Sequence, residues 1–395
     1  MIEDKHADNT TSDQDSDDDE SDDLIDARLR AKALIEFRFR VEEAIIGNYL
    51  LAKQWKPKTA STTAVNSDVR LWGVPLFPSQ GHEATDAVLT KFLKAKRYKV
   101  HEAFTALRKT LKWRGDFRPN DLAGSDNAWF RSGADMEGRP LCYNILGKDY
   151  QSYDDYLRWR VVCVEKGVHN LNFRPGGVDS IVQIIDLKNA AGPATKELKL
   201  ISKKMITLLH DHYPGLVHKN LIINVPSWFL TLNALNLRLI TKRSKNKFIF
   251  VKPSRVTETL LKYATIENIL VQYGGLRREN DTEFTSEDKV LEANIRASGT
   301  EIIQIPANEA GVTLMWDITV IGYEVTCKEE FVPDDDCSYK ILLQEKRMGE
   351  SMRNSFYIRE PGKIVISIVN ASYTKKKAYY RYKSRAIVPM FMIFN

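Results

Sequence analysis

The chain has 395 residues, of which 43% are hydrophobic and 10% aromatic, so it can form hydrophobic cores and is not disordered throughout. The net charge of +6 is unevenly distributed, because residues 1–26 hold 12 of the 52 acidic side chains and one basic side chain. The remainder carries 57 basic against 40 acidic side chains, and such a body attracts nucleic acid, an anionic membrane leaflet or phosphorylated head groups.

Cysteine usage and the amino terminus indicate the compartment. The four cysteines, Cys142, Cys163, Cys327 and Cys337, form no C-x-x-C pair and no zinc-binding spacing, which favours reduced thiols in a cytosolic protein. No apolar signal region follows Met1, and no window approaches the ~20 apolar residues of a membrane span. The sequence therefore predicts a cytoplasmic protein.

The amino-terminal third is predicted to be helical after an acidic tail. Residues 1–23 are expected to be disordered because like charges repel and core-forming residues are scarce. Residues 24–67 form an amphipathic helix and a linker, and residues 68–118 form a helical region. Apolar residues within 84–113 recur at helical spacing and predict two packed helices with basic outer faces.

The remaining sequence predicts two domains that differ in secondary structure. Strand and helix patterns alternate across residues 119–278, which favours a mainly parallel sheet flanked by helices. Residues 285–385 are rich in short strands separated by turn residues, which predicts an antiparallel β-sandwich. The mixed cations and aromatics from Lys375 to Lys383 suit single-stranded nucleic acid, but inside/outside alternation of a sandwich strand explains them better.

The carboxyl terminus, residues 386–395, is apolar. A membrane-dipping peptide, a packed strand and an irregular end all fit this segment, and the alternatives stay open.

Motifs for catalysis are nearly absent. The segment that starts at His82 begins like a zinc-protease helix but has Asp86 where the second histidine belongs. His210 and His212 are spaced so that a helix would separate them. The sequence also lacks G-x-S-x-G, a Walker P-loop and G-x-G-x-x-G. We therefore expect no enzyme activity, no metal and no nucleotide cofactor.

Several colinear motifs carry a family resemblance. They are Lys91 to Val100 (KFLKAKRYKV), Met136 to Tyr143 (MEGRPLCY), Asp186-Leu-Lys188, Tyr213-Pro214 and Ile223 to Pro226 (INVP). Their order and spacing resemble the CRAL-TRIO lipid-transfer proteins. Further matches at 71–76 (LWGVPL), 271–275 (VQYGG) and 329–334 (EEFVPD) resemble the patellins across about residues 34–384, with a GOLD domain at the carboxyl end.

The resemblance implies an apolar pocket for one lipid, closed by a mobile helix at residues 226–244. Its lining and gate would include Ile181, Gln183, Ile185, Ile223, Trp228, Phe229, Leu232, Phe248 and Phe250. The family's inositol-phosphate site falls on Lys96, Arg97, Asp135 and Lys247, where cations suit phosphate and the carboxylate suits sugar hydroxyls.

Two departures from the family pattern limit the prediction. In the family, an acidic residue usually follows Tyr-Pro and helps to hold the gate near the basic site. This chain has Gly215 at that position and so lacks this charge. The hydroxyl pair that holds a choline lipid in relatives falls on Ile181 and Gln183, so phosphoinositide binding is favoured over exchange of two lipids.

These features predict a non-enzymatic phosphoinositide carrier that associates peripherally with membranes, in trafficking linked to cell plate formation. The alternative is a membrane adaptor that recruits proteins through the GOLD domain and acidic tail without transferring lipid. The expected partners are a lipid, an anionic membrane surface and proteins bound by the GOLD domain. We expect no nucleic acid partner, no cofactor and a monomer.

Overall fold

The computed structural model describes residues 16–51, 68–119, 133–145, 153–188, 196–226, 247–335 and 339–386. The chain divides into two compact units. One comprises residues 1–125, 157–180 and 196–217, and the other residues 126–156, 181–195 and 218–395. The fold class expected from the sequence, an α/β domain with amino-terminal helices followed by an all-β sandwich, is confirmed.

The first unit is helical. It contains α1 (Ser16–Ile46), the two-stranded hairpin β1 (Arg70–Leu71) and β2 (Val74–Pro75), α2 (Thr85–Ala95), α3 (Val100–Phe117), most of α4 (Tyr153–His169) and α5 (Lys196–His212). Helix α1 begins at Ser16, inside the stretch expected to be a disordered tail. Acidic residues in the first turns of a helix are favourable because the helix dipole is positive at that end.

Apolar residues at helical spacing form the core of the first unit. Phe37 and Val41 of α1, Phe92 of α2 and Leu107 of α3 are all buried. The ring of Trp72 stacks on three aromatic rings, with centroid distances of 5.9 Å to Phe92, 6.1 Å to Phe173 and 6.5 Å to Tyr213. Burial of such large side chains is the main stabilising contribution to this unit.

A buried ionic cluster joins distant segments of the same unit. Arg114 of α3 donates from two guanidinium nitrogens to Glu165 of α4, at 2.6 and 3.1 Å. The hydroxyl of Tyr213, from the Tyr-Pro motif, donates to the same carboxylate. Because the charge of Glu165 is buried, each of these donors is needed to offset its desolvation.

The second unit contains the four-stranded sheet β3 (Leu141–Ile145), β4 (Ile181–Asp186), β5 (Val217–Ile223) and β6 (Phe248–Phe250), in the order β3-β4-β5-β6. β3 pairs with β4 and β5 with β6 in parallel. One sheet face packs on residues 251–273, which include α6 (Val256–Leu260), and forms a core. Its strand members are Leu141, Tyr143, Val182, Ile184, Leu221 and Ile223.

The sandwich of the second unit has eight strands. They are β7 (Leu291–Ile295), β8 (Gly299–Ala307), β9 (Val312–Val320), β10 (Thr326–Pro333), β11 (Ile341–Arg347), β12 (Met352–Ile358), β13 (Gly362–Asn370) and β14 (Lys376–Ala386). One sheet has the order β11-β10-β13-β8 and the other β12-β9-β14-β7. The isoleucines of β13 alternate inward, so their β-branched side chains fill the core between the sheets.

The segment before the sandwich is bonded to one of its sheets. Thr319 and Ser351 donate to the carbonyl oxygens of Gly274 (3.0 Å) and Gly275 (2.7 Å). Beside them, Asp317 is fully buried and accepts hydrogen bonds from Arg278, Arg353 and Arg381. The carboxyl end of the α/β domain is thereby fixed to the sandwich by buried polar contacts.

Candidate functional site

The turn between α2 and α3 presents two predicted phosphate ligands, Lys96 and Arg97. We call Lys96, Arg97 and the first turn of α3 the basic corner. Arg97 and Tyr98 are both in the left-handed backbone region, with φ of 52° and 60°. Each such residue that is not glycine costs about 1–2 kcal/mol, so the surrounding packing must hold this conformation.

The charges of the basic corner are available to a ligand. Lys96 is half-buried and Arg97 exposed, and within the described residues neither makes an ion pair shorter than 4.0 Å. The neighbouring Lys99, by contrast, pairs with Glu102 at 2.9 Å. No side chain caps the amino terminus of α3, so its first backbone N–H groups can also donate to an anion. The corner therefore combines two cations with a helix amino terminus, which suits a phosphate group.

The basic segment from Lys91 to Val100 also contains a lysine with a different role, Lys91. Its side chain is only 6% exposed, and Nζ donates to Asp179 at 2.8 Å and to the carbonyl oxygen of Gly215 at 3.1 Å. Gly215 has a φ of +67°, a conformation that glycine adopts without strain. The position at which the family resemblance implies an acid therefore bonds Lys91 through its backbone, while Asp179 supplies the negative charge.

The other two predicted head-group ligands lie in the second unit. The Asp135 carboxylate accepts hydrogen bonds from the backbone N–H of Glu137 (2.9 Å) and from the backbone and guanidinium N–H groups of Arg139 (2.7 and 2.9 Å). These contacts stabilise its own turn and favour a structural role. Lys247 is half-buried directly before β6, and its carbonyl oxygen accepts from the backbone N–H of Asn220 at 2.7 Å. A ligand role for both residues stays a prediction.

Most of the described residues expected in the pocket share one sheet face. Alternation along β4 and β6 places Ile181, Gln183, Ile185, Phe248 and Phe250 on the face opposite the core. Ile181 and Gln183 are completely buried, whereas Ile185, Phe248 and Phe250 are half-buried. The β4 and β6 residues lie on one face of the sheet but are separated by β5, which contributes Asn220 and Ile222 to that face.

Ile223 lies on the other face. It is fully buried in the core cluster with Val182 and Ile184, so it does not share a surface with the five residues above. The expected gate residues Trp228, Phe229 and Leu232, with the rest of 227–246, lie outside the described residues.

Two buried amides on the sheet escaped the sequence prediction. Asn144 of β3 and Asn220 of β5 alternate with core residues and so lie on the same face as Gln183. The Nδ2 of Asn144 donates to the carbonyl oxygen of Cys142 at 3.0 Å, while its Oδ1 accepts no hydrogen bond from the described residues. The sequence did contain a signal for Asn144. In β3 the large side chains of Leu141 and Tyr143 alternate with the smaller Cys142 and Asn144, so the two pairs lie on opposite faces of the sheet.

Metal-binding groups and membrane-spanning helices can be assessed in the described part of the chain. It contains no group of three or more His, Cys, Asp or Glu side chains placed to hold a metal ion. None of its helices is long and apolar enough to span a bilayer.

Comparison with known proteins identifies both modules. The model of the CRAL/TRIO domain family matches residues 125–275, and that of the patellin-1-like C-terminal GOLD domain matches residues 296–377. Phosphatidylinositol transfer protein SFH5 of Kluyveromyces lactis is 25% identical over 219 residues, which cover 50% of the chain and 71% of that relative. A crystal structure of Sfh5 covers 57% of the chain and 83% of its own, with 20% identity and a TM-score of 0.47.

Relatives in Arabidopsis thaliana match over most of the chain. Patellin-4 is 44% identical over 339 residues, which are 82% of the chain but only 63% of that relative, so the match stops short of its full length. Patellin-6 is 35% identical over 382 residues, which are 90% of the chain and 92% of that relative. The chain belongs to the patellin family.

Proposed function

We propose that the chain is a non-enzymatic lipid carrier that binds a phosphoinositide and acts at membrane surfaces. The observation that carries the proposal is the basic corner, where Lys96 and Arg97 make no ion pair in the described structure and lie beside an uncapped helix. Membership of a family with a CRAL/TRIO domain supports a lipid as the ligand.

The energetics of lipid carriage favour an enclosed apolar surface. The acyl chains of one phospholipid contain roughly 30 methylenes, and exposing each to water costs about 0.8 kcal/mol. Transfer from bilayer to a dry protein interior removes this cost of about 25 kcal/mol, whereas binding in an open groove does not. In our proposal, Ile185, Phe248 and Phe250, which are half-buried on one face of the sheet, line such an interior.

Polar contacts at the head group then decide which lipid is taken. A phosphate at the basic corner receives charge-assisted hydrogen bonds from Lys96 and Arg97, and backbone N–H groups of α3 add further donors. Asp135 and Lys247 enter the proposal through the family resemblance, and the hydrogen bonds of Asp135 within its own turn make it the weaker candidate.

The test compares two double variants that remove the same charge. Lys96→Ala with Arg97→Ala is expected to weaken binding to vesicles of phosphatidylcholine with a few per cent phosphoinositide by about a hundredfold or more, because each of the two charge-assisted bonds contributes about 1.5–3 kcal/mol. Lys112→Ala with Lys252→Ala removes two exposed cations elsewhere and is expected to bind nearly as the unaltered chain. Equal losses in both variants would show that general charge, and not the corner, binds the vesicles.

A lipid-transfer assay distinguishes the carrier hypothesis from the adaptor hypothesis. A carrier moves a fluorescent phosphatidylinositol from donor to acceptor vesicles at a rate that depends on the basic corner. Binding without transfer would favour the adaptor that recruits proteins through the GOLD domain. We extend the proposal to trafficking at the cell plate through the patellin relationship, and a fluorescently tagged chain absent from the division plane of plant cells would contradict it.

A further inference from the structure

The loop between β13 and β14, residues 371–375, holds an aromatic side chain almost entirely in water. Tyr373 is 94% exposed, the largest fraction for any large hydrophobic side chain in the described residues. Its ring therefore contributes nothing to the sandwich core. A tyrosine ring exposed in this way is available to a partner outside the chain.

The loop is ordered by a buried asparagine at its base. Asn370 is only 1% exposed, and its Nδ2 donates to the carbonyl oxygens of Arg296 (2.9 Å) and Thr374 (2.8 Å). Its Oδ1 accepts from the backbone N–H of Ser372 at 3.1 Å and from the Ser372 hydroxyl at 2.7 Å. The four bonds cross-link the loop, so the exposure of Tyr373 is a property of a fixed conformation.

Neighbouring turns at the same end of the sandwich support the loop. The backbone N–H of Ser298 donates to the carbonyl oxygen of Ser372 at 2.9 Å, which joins it to the turn between β7 and β8. The backbone N–H of Ile321 donates to the carbonyl oxygen of Lys377 at 2.9 Å, which joins the start of β14 to the turn after β9. We call the loop 371–375, Arg296 and the first two residues of β14 the sandwich tip.

The charge of the sandwich tip is positive. It contains Arg296 and three consecutive lysines, Lys375, Lys376 and Lys377. Lys377 pairs with Glu292 at 2.6 Å, so one of the four positive charges is neutralised. Within the part of the chain that the structure describes, the ammonium group of Lys376 makes one hydrogen bond, to the carbonyl oxygen of Gly322 at 3.5 Å. The residues that define the tip include no carboxylate, so the tip stays positively charged when the Lys377–Glu292 pair is counted.

We propose that the sandwich tip binds the surface of an anionic lipid bilayer, with Tyr373 at the level of the head groups. Tyrosine partitions to the interface because its ring is apolar and its hydroxyl is polar, and nearby lysines add attraction to anionic lipid. The flanking residues Ala371, Ser372 and Thr374 are too small to form the apolar core of a protein interface. A bilayer requires only the single ring and the charges.

This inference rests on the proposed membrane association but is independent of the lipid pocket. The tip belongs to the sandwich, and the basic corner belongs to the helical unit. A chain that transfers no lipid can still dock through the tip.

The first experiment measures flotation of the full chain with vesicles of phosphatidylcholine and phosphatidylserine (70:30), which contain no phosphoinositide. Tyr373→Ser with Lys375→Ser is expected to weaken binding about tenfold, since one lysine near an anionic leaflet alone contributes about fivefold. Tyr339→Ser with Lys340→Ser removes the same two residue types near the other end of the sandwich and is expected to change binding less than twofold. Equal binding by both variants would overturn the proposal.

A second measurement detects contact directly. An environment-sensitive dye attached after Tyr373→Cys is expected to shift to the blue on these vesicles, whereas one attached after Ala310→Cys, in the exposed turn between β8 and β9, is not. Labelling of the unaltered chain corrects for native thiols. The shift at position 373 should persist when Lys96→Ala and Arg97→Ala abolish transfer. If the dye at position 373 shows no shift while lipid transfer is intact, the sandwich tip does not contact the bilayer. The proposed carrier function would be unaffected.

Discussion

Asp317 provides the sharpest test of how the sandwich is joined to the segment before it. Its carboxylate is fully buried and accepts five hydrogen bonds: one from Arg278 (3.1 Å), two from Arg353 (both 2.7 Å) and two from Arg381 (2.9 and 3.0 Å). The substitution Asp317→Asn retains the shape of the side chain and removes its charge. Three guanidinium groups then lose their shared counterion.

The expected loss follows from the burial of the partners. Removing one member of a buried ion pair costs about 3–5 kcal/mol, because the remaining charge is left desolvated. Arg381 is only 2% exposed but also donates to the carbonyl oxygens of Leu276 (3.0 Å) and Thr285 (2.9 Å). Arg278 and Arg353 reach solvent in part, and Arg353 also keeps its two hydrogen bonds to Asp281, at 2.8 and 2.7 Å. We therefore expect a loss near the lower limit, about 3 kcal/mol.

Hydrogen exchange followed by mass spectrometry is the appropriate assay, because a chain with two units need not unfold in one step. Faster exchange is expected in residues 276–285, β12 and β14, where the three arginine partners lie, and in β9, which contains Asp317. Glu292→Gln is the control, since its pair with Lys377 on the same sheet is 42% exposed on both sides and should contribute less than about 1 kcal/mol. Indistinguishable exchange in the two variants would refute the argument that burial makes this cluster stabilising.

Two further predictions concern a histidine and a glycine. Burial lowers the pKa of His212 to about 4, so the unfolded chain binds its proton first and stability falls as the pH decreases from about 6.5 to 4. The variant His212→Phe retains a ring against Trp113 but cannot bind a proton. Its melting temperature is expected to depend less on pH over this range. An unchanged pH dependence would show that other groups cause the loss of stability. At Gly275 an added Cβ would overlap the backbone of Ile269, so Gly275→Ala should lower the melting temperature by 10 °C or more. Gly115→Ala in α3 meets nothing within 4 Å and should raise it slightly, and equal effects of the two alanines would contradict the steric reasoning.

Much of the fold could be predicted because periodic patterns report local structure. The helical spacing of Phe92 and Leu107 and the alternation in β13 correctly placed helices and strands. The colinear motifs correctly identified a CRAL/TRIO domain and a GOLD domain. Boundaries were harder, as α1 begins at Ser16 and not after the acidic tail, because helix formation there depends on the balance of weak local terms.

The candidate site was less predictable, because availability for a ligand depends on contacts distant in sequence. Motif matching singled out Lys96, Arg97 and Asp135 alike. The structure leaves the first two without ion pairs among the described residues and bonds Asp135 three times within its own turn. Similarly, nothing in the sequence indicated that Lys91 is buried and donates to Asp179, 88 residues away.

The sequence by itself determined the order of the modules, their secondary structure and the basic character of the folded body, since these follow from periodicity and composition. Only the tertiary structure decided which charges are neutralised and which face solvent. Asp317 meets Arg278 and Arg381, which lie 39 and 64 residues away, and the loop that exposes Tyr373 is held by the carbonyl oxygen of Arg296. Pairing of this kind depends on distances in space, and chain folding sets those distances independently of separation along the sequence.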